Sequence, residues 1–320
     1  MKFLLFNIGS KTIKYAIYRD RKLIEKHIVY TKKLNIIKKI LDKSSPDYIL
    51  HRVVHGGNIK KECFINRETL KEIEKYSIFA PLHNPKQLEV IKLCQKQNHN
   101  KNIAIFDTSF FSNLPEKAKI YPIPLKISKK YNIQRRGFHG LSHENVARKF
   151  YDKKVISCHL GSGCSVCAIN HGKAVDISMG LTPLEGTMMV TRGGSIDPGI
   201  ILMLVQKFGL KETDKILNHK SGFVGLTGSE DVKKIYESQK IKDKLAIDIF
   251  CYNVAKQICA YLAALGKIDI ISFSGGIGEA SEVIRNKICS YLPFRFKMEI
   301  INTNEEELMI QKALQLIKGK

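Results

Sequence analysis

The segment VISCHLGSGCSVCAI, residues 155–169, reads as a strand, a glycine turn and a second strand. Residues 2–20 repeat this arrangement, because two strand-like runs enclose a turn built from Asn7, Gly9 and Ser10. A third glycine turn, SGGIGE at 274–279, follows the apolar run at 268–273. Since similar hairpins occur in both halves, we predict two duplicated α/β domains that face one another.

The bulk composition is that of an ordinary globular protein. The chain has 320 residues, of which 44% are hydrophobic and 26% are charged, and this length favours two domains. No apolar run approaches the roughly eighteen residues that a membrane span needs. The run at 3–6 is too short for a secretory signal and predicts a first buried strand. We therefore expect a cytoplasmic protein with no membrane partner.

The net charge of +23 comes from 53 Lys and Arg against 30 Asp and Glu. Nucleic-acid-binding proteins often carry such an excess, but here the lysines are dispersed, without a long basic block or an aromatic-lined basic groove. We expect no specific nucleic-acid partner. The positive field should instead attract anionic substrates, an effect that salt weakens.

Eight cysteines lie mostly within apolar segments. Cys164 and Cys167 form a CxxC pair with Cys158 and His159 close by, but a structural zinc site usually needs a second ligand pair at similar spacing. The sequence has no such pair, so we interpret the cysteines as buried thiols.

Several other segments show helical signals. Ser142 and Asn304 are suitable N-caps, and apolar residues recur at helical spacing after residue 242. We predict helices near 67–77, 85–97, 142–151, 198–208, 242–265, 279–290 and 305–317.

The glycine turns are candidate phosphate sites, since neither a Walker A sequence nor G-x-G-x-x-G occurs. Glycine lets the backbone N–H groups approach phosphate oxygens. One such turn is usually no more than a turn, but three in two predicted domains favour nucleotide binding. They lie at 7–12, at 159–163 and, at the start of a helix, at 275–278.

Two arginines and one histidine stand beside glycines. Arg52 in HRVVHGG and Arg192 in TRGG are candidate clamps for a carboxylate or phosphoryl group, because a guanidinium binds such anions through a planar fork. His139 in GFHG can donate a hydrogen bond to developing charge, or it can be an ordinary loop histidine. The pair His139 and His143 lacks the glutamate of the zinc-protease motif.

Oxygen ligands follow predicted strands or begin the last helix. Asp107 comes directly after the strand at 103–106, where side chains commonly face the ligand crevice of an α/β sheet. Glu305 and Glu306 can simply complement the helix dipole. Together with Asn7 and Asp107 they also offer the hard oxygen atoms that Mg²⁺ uses beside nucleotide phosphates.

Eight runs of the chain resemble the acetate kinase family and follow one another in the family's order. They are HRVVHGG (51–57), APLHNP (80–85), FDTSFF (106–111), RRGFHGLSH (135–143), CHLGSG (158–163), TPLEGTMMVTRGGSIDP (182–198), SGGIGE (274–279) and INTNEEEL (301–308). The resemblance implies a duplicated actin-like fold of the ribonuclease H type, with mixed sheets flanked by helices and a cleft between the domains. We expect an N-terminal domain at 1–108 to which 306–320 returns, and a nucleotide-binding domain at 109–305.

The resemblance also implies a role for individual residues. The catalytic residues around the transferred phosphoryl group would be Asp107, Arg52, Arg192 and His139. The acyl substrate would be bound by Arg52, Val54, Leu82, His83, Phe138 and Pro183. The nucleotide, ATP or ADP, would be bound by Lys14, His159, Gly161, Ser162, Gly163, Gly275, Gly276, Ile277 and Gly278. The ligands of Mg²⁺, with Mn²⁺ as an alternative ion, would be Asn7, Glu305 and Glu306.

The chain also departs from the family's pattern. Lys11 stands within a turn that is serine-rich in the family, and Ser162 replaces the asparagine of HLGNG. The chain is shorter than most family members, mainly between Lys14 and His51 and between Glu279 and Asn302. These differences leave nucleotide affinity and the formation of a homodimer open.

The resemblance implies an acetate kinase, which transfers a phosphoryl group reversibly and directly between ATP and acetate to give acetyl phosphate and ADP. One alternative is a propionate or butyrate kinase of the same fold, although Val54 and Pro183 favour the smallest acid. Another is a trimmed homologue that binds nucleotide without turnover.

Overall fold

The chain folds into two units, each built around one mixed β-sheet. The computed structural model describes residues 1–9, 12–30, 34–97 and 101–319. Unit 1 consists of Met1–Ser112, Phe138–Leu141 and Asn304–Lys320, and unit 2 of Asn113–Gly137 and Ser142–Thr303. The functional domain boundaries proposed above, 1–108 with 306–320 and 109–305, stay a prediction. Ser10 and Lys11, on which part of the first predicted turn depends, lie outside the described residues.

The regular elements of the described residues are as follows. The strands are β1 (Lys2–Ile8), β2 (Thr12–Arg19), β3 (Lys22–Tyr30), β4 (Tyr48–Val53), β5 (Cys63–Phe64), β6 (Asn102–Phe106), β7 (Lys154–Leu160), β8 (Cys164–Asn170), β9 (Lys173–Ile177), β10 (Ile270–Ser274) and β11 (Lys297–Ile300). The helices are α1 (Asn35–Ser44), α2 (Arg67–Lys75), α3 (Asn84–Gln97), α4 (Glu116–Lys119), α5 (Leu125–Tyr131), α6 (Gly140–Lys149), α7 (Pro198–His219), α8 (Gly222–Thr227), α9 (Val232–Glu237), α10 (Ile241–Ala260), α11 (Leu262–Leu265), α12 (Gly275–Ala280), α13 (Glu282–Ser290) and α14 (Glu305–Lys318). Two 3₁₀ segments span Tyr76–Phe79 and Asp107–Phe111.

The two sheets share one topology. In unit 1 the strand order is β3-β2-β1-β4-β6-β5, and in unit 2 it is β11-β10-β7-β8-β9. The first strand of each sheet, β1 or β7, pairs with an antiparallel hairpin partner on one side and with a parallel strand on the other. This correspondence confirms the duplication that the two hairpins predicted.

The sheet of unit 1 is apolar on both faces. Along β1, Phe3 and Leu5 pack with residues of α14, whereas Leu4 and Phe6 pack with residues of α1 and α3. Because side chains alternate between faces along a strand, the unbroken run FLLF supplies both cores. The buried first strand predicted from this run is confirmed.

Most predicted helices are confirmed, with differences at their ends. The helix predicted at 198–208 continues to His219 across Gly209, whose φ of 75° and ψ of 165° are not helical. The helix predicted at 242–265 ends at Ala260 and resumes as a short turn after Tyr261. Helix α1 was not predicted, because no side chain caps its N-terminus, although its buried residues follow helical spacing.

The cysteines are reduced thiols, and five of them are buried. Burial raises the pKa of Cys164 to about 12 and that of Cys94 to about 12. These five fit the interpretation as buried thiols, whereas Cys63, Cys259 and Cys289 are partly exposed. Among the described residues, no helix is both long and apolar enough to cross a bilayer.

Candidate active site

Arg52 and Asp107 form the centre of the site in unit 1. Arg52 is the next-to-last residue of β4 and Asp107 directly follows β6, and these two strands are parallel neighbours. Their carboxyl ends therefore meet at one edge of the sheet. The guanidinium donates from Nε to Asp107 Oδ1 at 3.0 Å and from Nη2 to Oδ2 at 2.8 Å. Both carboxylate oxygens of a fully buried aspartate are thus occupied by one arginine.

Glu305 holds the other side of the same guanidinium. It is the first residue of α14, which Asn304 caps by accepting from the N–H of Glu307. Arg52 Nη1 donates to Glu305 Oε2, and Asn7 Nδ2, near the end of β1, donates to the same oxygen at 3.2 Å. Burial lowers the pKa of Arg52, but the charges of Asp107 and Glu305 outweigh it and raise the pKa above its ordinary value.

The predicted magnesium ligands are only partly brought together. Asn7 and Glu305 are in contact, whereas the half-buried Glu306 forms an ion pair of 2.9 Å with Lys26 Nζ. No group of three His, Cys, Asp or Glu that could hold a metal ion occurs in the described ranges. Mg²⁺ usually needs only one or two protein carboxylates, because water and substrate phosphates complete its shell. The hard oxygen atoms of Asn7 and Glu305 fit such an ion.

His139 is placed by a close backbone contact. It has a φ of 58°, in the left-handed region, and precedes Gly140 at the start of α6. A Cβ on Gly140 would overlap the carbonyl oxygen of Asp107, so only glycine allows this approach. The predicted pocket residue Phe138 is buried and stands edge-on to His55, with ring centroids 5.6 Å apart.

Helix α3 holds the backbone that carries Val54. The buried Gln87 accepts from the Val54 N–H at 3.1 Å through Oε1. Asn84, also buried, pairs with the next residue twice, because its Oδ1 accepts from the His55 N–H at 3.0 Å and its Nδ2 donates to the His55 carbonyl at 2.9 Å. The predicted substrate residues Leu82 and His83 are half-buried and immediately precede this helix.

Arg192 in unit 2 has an environment opposite to that of Arg52. Its side chain is buried, and Nη1 donates to the Pro183 carbonyl at 2.8 Å. Nε has no hydrogen-bond partner, and no ion pair of Arg192 occurs in the described residues. Burial without a carboxylate lowers the pKa of the guanidinium. A buried cation without a counter-charge is suited to an anionic ligand.

Two of the predicted nucleotide turns are neighbours in unit 2. The turn between β7 and β8 closes through the Gly161 N–H, which donates to the Gly163 carbonyl at 3.0 Å. A Cβ on Gly161 would lie 3.9 Å from the backbone nitrogen of Gly276, at the start of α12. His159, at the end of β7, contacts Ser142 Oγ through Nδ1 at 2.9 Å. Both turns therefore present backbone to the same region.

The start of α12 is fixed by residues outside the turn itself. The Gly275 N–H donates to Glu279 Oε1 at 3.0 Å and to Thr303 Oγ1 at 2.9 Å. Gly278 is buried and Ile277 half-buried, whereas Gly276 and Ser162 are exposed. The exposed Lys14 lies in unit 1, opposite Asn7 in the pairing of β1 with β2.

Sequence reasoning missed the residues that hold these groups in place. They include Gln87, Asn84, Glu279, Thr303 and Glu185. All but Gln87 stand within the sequence runs quoted above. The available signal was the presence of polar side chains within these runs.

Comparisons with known proteins match most of the chain. The sequence model described as "Acetokinase family" matches residues 24–310. The acetate kinase of Carboxydothermus hydrogenoformans is 40% identical over 309 residues, which cover 84% of this chain and 78% of that protein. The structure of a propionate kinase from Francisella tularensis has a TM-score of 0.90 at 31% identity and covers 98% of this chain and 99% of that one. The acetate kinase structure from Entamoeba histolytica has a TM-score of 0.89 at 27% identity, covering 99% and 100%.

These likenesses extend over nearly the whole chain. They confirm the predicted fold class, two duplicated actin-like domains of the ribonuclease H type with mixed sheets flanked by helices. The chain therefore belongs to the acetokinase family and is an ATP-dependent kinase, as its motifs predicted.

Proposed function

We propose that this kinase transfers a phosphoryl group reversibly between ATP and acetate, giving acetyl phosphate and ADP. The observation that carries the proposal is Arg192, a buried guanidinium that donates to the Pro183 carbonyl and has no carboxylate partner in the described part of the chain. A phosphoryl group in transfer carries spread negative charge, and such a cation stabilises it without prior rearrangement. The 40% identity to an acetate kinase supports acetate as the acceptor.

The transfer proceeds directly and in line. The acceptor carboxylate is already ionised at neutral pH, so it needs no general base. In unit 2, Arg192 is the proposed donor to the equatorial oxygens of the moving group. In unit 1, His139 is proposed for the same role. Asp107 acts through Arg52, because its two oxygens hold the guanidinium plane while Arg52 faces the anionic substrate. Catalysis is then mainly alignment and charge stabilisation.

Asn7 and Glu305 would be the main protein ligands of magnesium. A bound Mg²⁺ (or Mn²⁺) neutralises charge on the nucleotide phosphates. Glu306 is the weaker of the three predicted ligands, because it is engaged by Lys26. Arg52 and Asn7 both hold Glu305 Oε2 and so keep the carboxylate in a fixed orientation.

The residues proposed for the acyl group are Val54, Leu82, His83 and Phe138 of unit 1 and Pro183 of unit 2. These side chains are mostly apolar and suit a short alkyl group. The likeness to a propionate kinase structure favours propionate as a second candidate substrate. One methylene in an apolar pocket changes binding by only about 1–3 kcal/mol, so discrimination between the two acids should be partial.

The nucleotide is bound by the backbone of the two neighbouring turns in unit 2, with His159, Ser162 and Ile277 alongside. Lys14 of unit 1 remains a proposed nucleotide residue. We further propose a cytoplasmic homodimer. No specific nucleic-acid or membrane partner is expected.

The test supplies the enzyme with ATP and either acetate, propionate or butyrate. The acyl phosphate that forms is measured after conversion to its hydroxamate. The native chain should be active and prefer acetate. Arg192→Ala should lower kcat/KM by about a thousandfold, whereas Arg295→Ala, which changes an exposed arginine of the same unit, should leave it unchanged. A native chain that forms no acyl phosphate would contradict the proposal, and a preference for butyrate would contradict the substrate.

A further inference from the structure

We propose that Glu185, clamped by Arg135 and Tyr121, is a positioning residue that sets both the acyl-pocket wall at Pro183 and the guanidinium of Arg192. The inference rests on the function proposed above. All five residues belong to unit 2. The segment 178–186, which follows β9, contains no helix or strand. Backbone hydrogen bonds hold Ser178, Gly180 and Gly186, and side chains add the contacts described next.

The carboxylate of Glu185 has two strong partners. Arg135 Nη2 donates to Oε1 at 2.6 Å, and the Tyr121 hydroxyl donates to Oε2. The side chains of Arg135 and Glu185 are 17% and 33% exposed, so the pair is partly shielded from solvent. Such charge-assisted hydrogen bonds are stronger and more directional than neutral ones.

The same two partners also bind the beginning of the loop. Tyr121 Oη accepts from the Leu181 N–H at 3.0 Å. Arg135 Nη1 donates to the carbonyls of Ile177 at 2.9 Å and Ser178 at 3.2 Å. A Cβ on Gly180 would overlap both the Glu185 carboxylate and the Tyr121 hydroxyl. The loop is therefore pinned on both sides of residues 182–184.

Residues 182–184 include Pro183, which contributes to the site in two ways. Its ring belongs to the proposed acyl pocket, and its carbonyl accepts from Arg192 Nη1 at 2.8 Å. Since Arg192 Nε has no partner, this carbonyl is a main restraint on the guanidinium. Releasing Glu185 should therefore disturb substrate selection and phosphoryl transfer together, because both depend on one short loop.

The hydrogen bonds of Glu185 are different from those that hold the nucleotide turns. Gly275 is held by Glu279 and Thr303, and Gly161 by Gly163. None of these contacts involves Glu185. A change at Glu185 should therefore affect the acyl substrate more than ATP.

The experiment compares Glu185→Ala and Tyr121→Phe with Glu212→Ala. Glu212 is a matched control, because it also forms an ion pair of 2.6 Å and its side chain is 34% exposed. It lies on α7, and its partner is Lys220, the residue that follows this helix. For each variant, kcat and KM are measured with acetate, propionate and ATP, and folding is checked by the thermal unfolding midpoint.

We expect Glu185→Ala to lower kcat by about tenfold or more and to shift the ratio of kcat/KM for propionate and acetate by about threefold or more. Its KM for ATP should stay within about twofold. Tyr121→Phe removes the hydrogen bonds to Glu185 and Leu181 and should shift the same parameters in the same direction by a smaller factor. Glu212→Ala should match the native chain.

Two results would overturn the inference. The first is a Glu185→Ala enzyme whose kcat and acid ratio equal the native values. The second, which applies if that variant does not fold, is a Tyr121→Phe enzyme with native values. An inactive native chain would instead contradict the proposed function itself, so the two failures are distinguishable.

Discussion

The guanidinium of Arg52 and the carboxylate of Asp107 lie in a two-pronged contact, with hydrogen bonds of 3.0 and 2.8 Å, at the ends of two adjacent parallel strands. The two residues are 55 positions apart in the chain. Their meeting depends on the pairing of β4 with β6, in which Arg52 is opposite Ile105. The contact fixes the plane of the Arg52 guanidinium, which also donates a hydrogen bond to Glu305.

Replacing Arg52 by lysine tests this geometry. Lys keeps the charge but lacks the planar fork, so it can satisfy at most part of the contacts to Asp107 and Glu305. We expect kcat/KM for acetate to fall by about a hundredfold, and the thermal midpoint to fall as well, because the buried Asp107 carboxylate loses part of its hydrogen bonding. Native-like kinetics in Arg52→Lys would show that charge alone is sufficient. Arg67→Lys, at an exposed position of the same unit, serves as the control.

Substitutions at two adjacent glycines, Gly275 and Gly276, should affect stability and nucleotide binding separately. Gly275 has a φ of 77°, and a Cβ there would lie 2.7 Å from the Leu160 carbonyl oxygen, so Gly275→Ala should destabilise unit 2 by about 1–3 kcal/mol. Gly276 has open space at the Cβ position. Gly276→Ala should therefore unfold like the native chain but raise the KM for ATP several-fold, because its methyl group would meet the nucleotide.

Denaturant unfolding and ATP kinetics of both variants check this prediction. An unchanged KM for ATP in Gly276→Ala would argue against nucleotide binding at this turn. Equal destabilisation by both substitutions would contradict the assigned difference between the positions.

Gln87 should control the position of Val54. Gln87→Leu keeps the volume but leaves the buried Val54 N–H without its acceptor, at a cost of about 1–3 kcal/mol. Because Val54 belongs to the proposed acyl pocket, we expect a several-fold rise in the KM for acetate and little change in the KM for ATP. Gln95→Leu, on the same helix but bonded to Ile65, is the control. Equal effects of both variants would refute a specific role for Gln87.

A buried histidine should make the stability of unit 1 depend on pH. Burial lowers the pKa of His51 from 6.5 to about 4, against the opposing effect of its hydrogen bond to Asn102. Between these values the unfolded chain binds a proton that the folded chain does not, so stability falls as the pH drops from 6.5 towards 4. The full contribution is about 3 kcal/mol.

Urea unfolding between about pH 4 and pH 7 measures this effect. His51→Gln should reduce the steepness of the pH dependence in that window. A remaining dependence is expected, since burial also lowers the pKa of His143. An identical pH profile of His51→Gln and the native chain would contradict the assignment.

The local pattern of residues was sufficient to predict both hairpins, most helices and the family. These features depend on neighbours in the chain: strand alternation, glycine turns, caps and short runs such as RRGFHGLSH. The position of Asp107 at a strand end was likewise predictable, because it directly follows the apolar run at 103–106.

The hydrogen-bond and ion-pair partners of the site residues are visible only in the folded structure. Nothing near Arg52 in the sequence indicates that Asp107 and Glu305 bind it, or that Arg192 forms no ion pair among the described residues. Glu306 looked equivalent to Glu305, yet consecutive residues of a helix project about 100° apart. Glu306 therefore pairs with Lys26, whereas Glu305 pairs with Arg52. Such contacts join residues as far as 298 positions apart, as Asn7 and Glu305 are. They arise from strand pairing and helix packing, which a one-dimensional pattern does not contain.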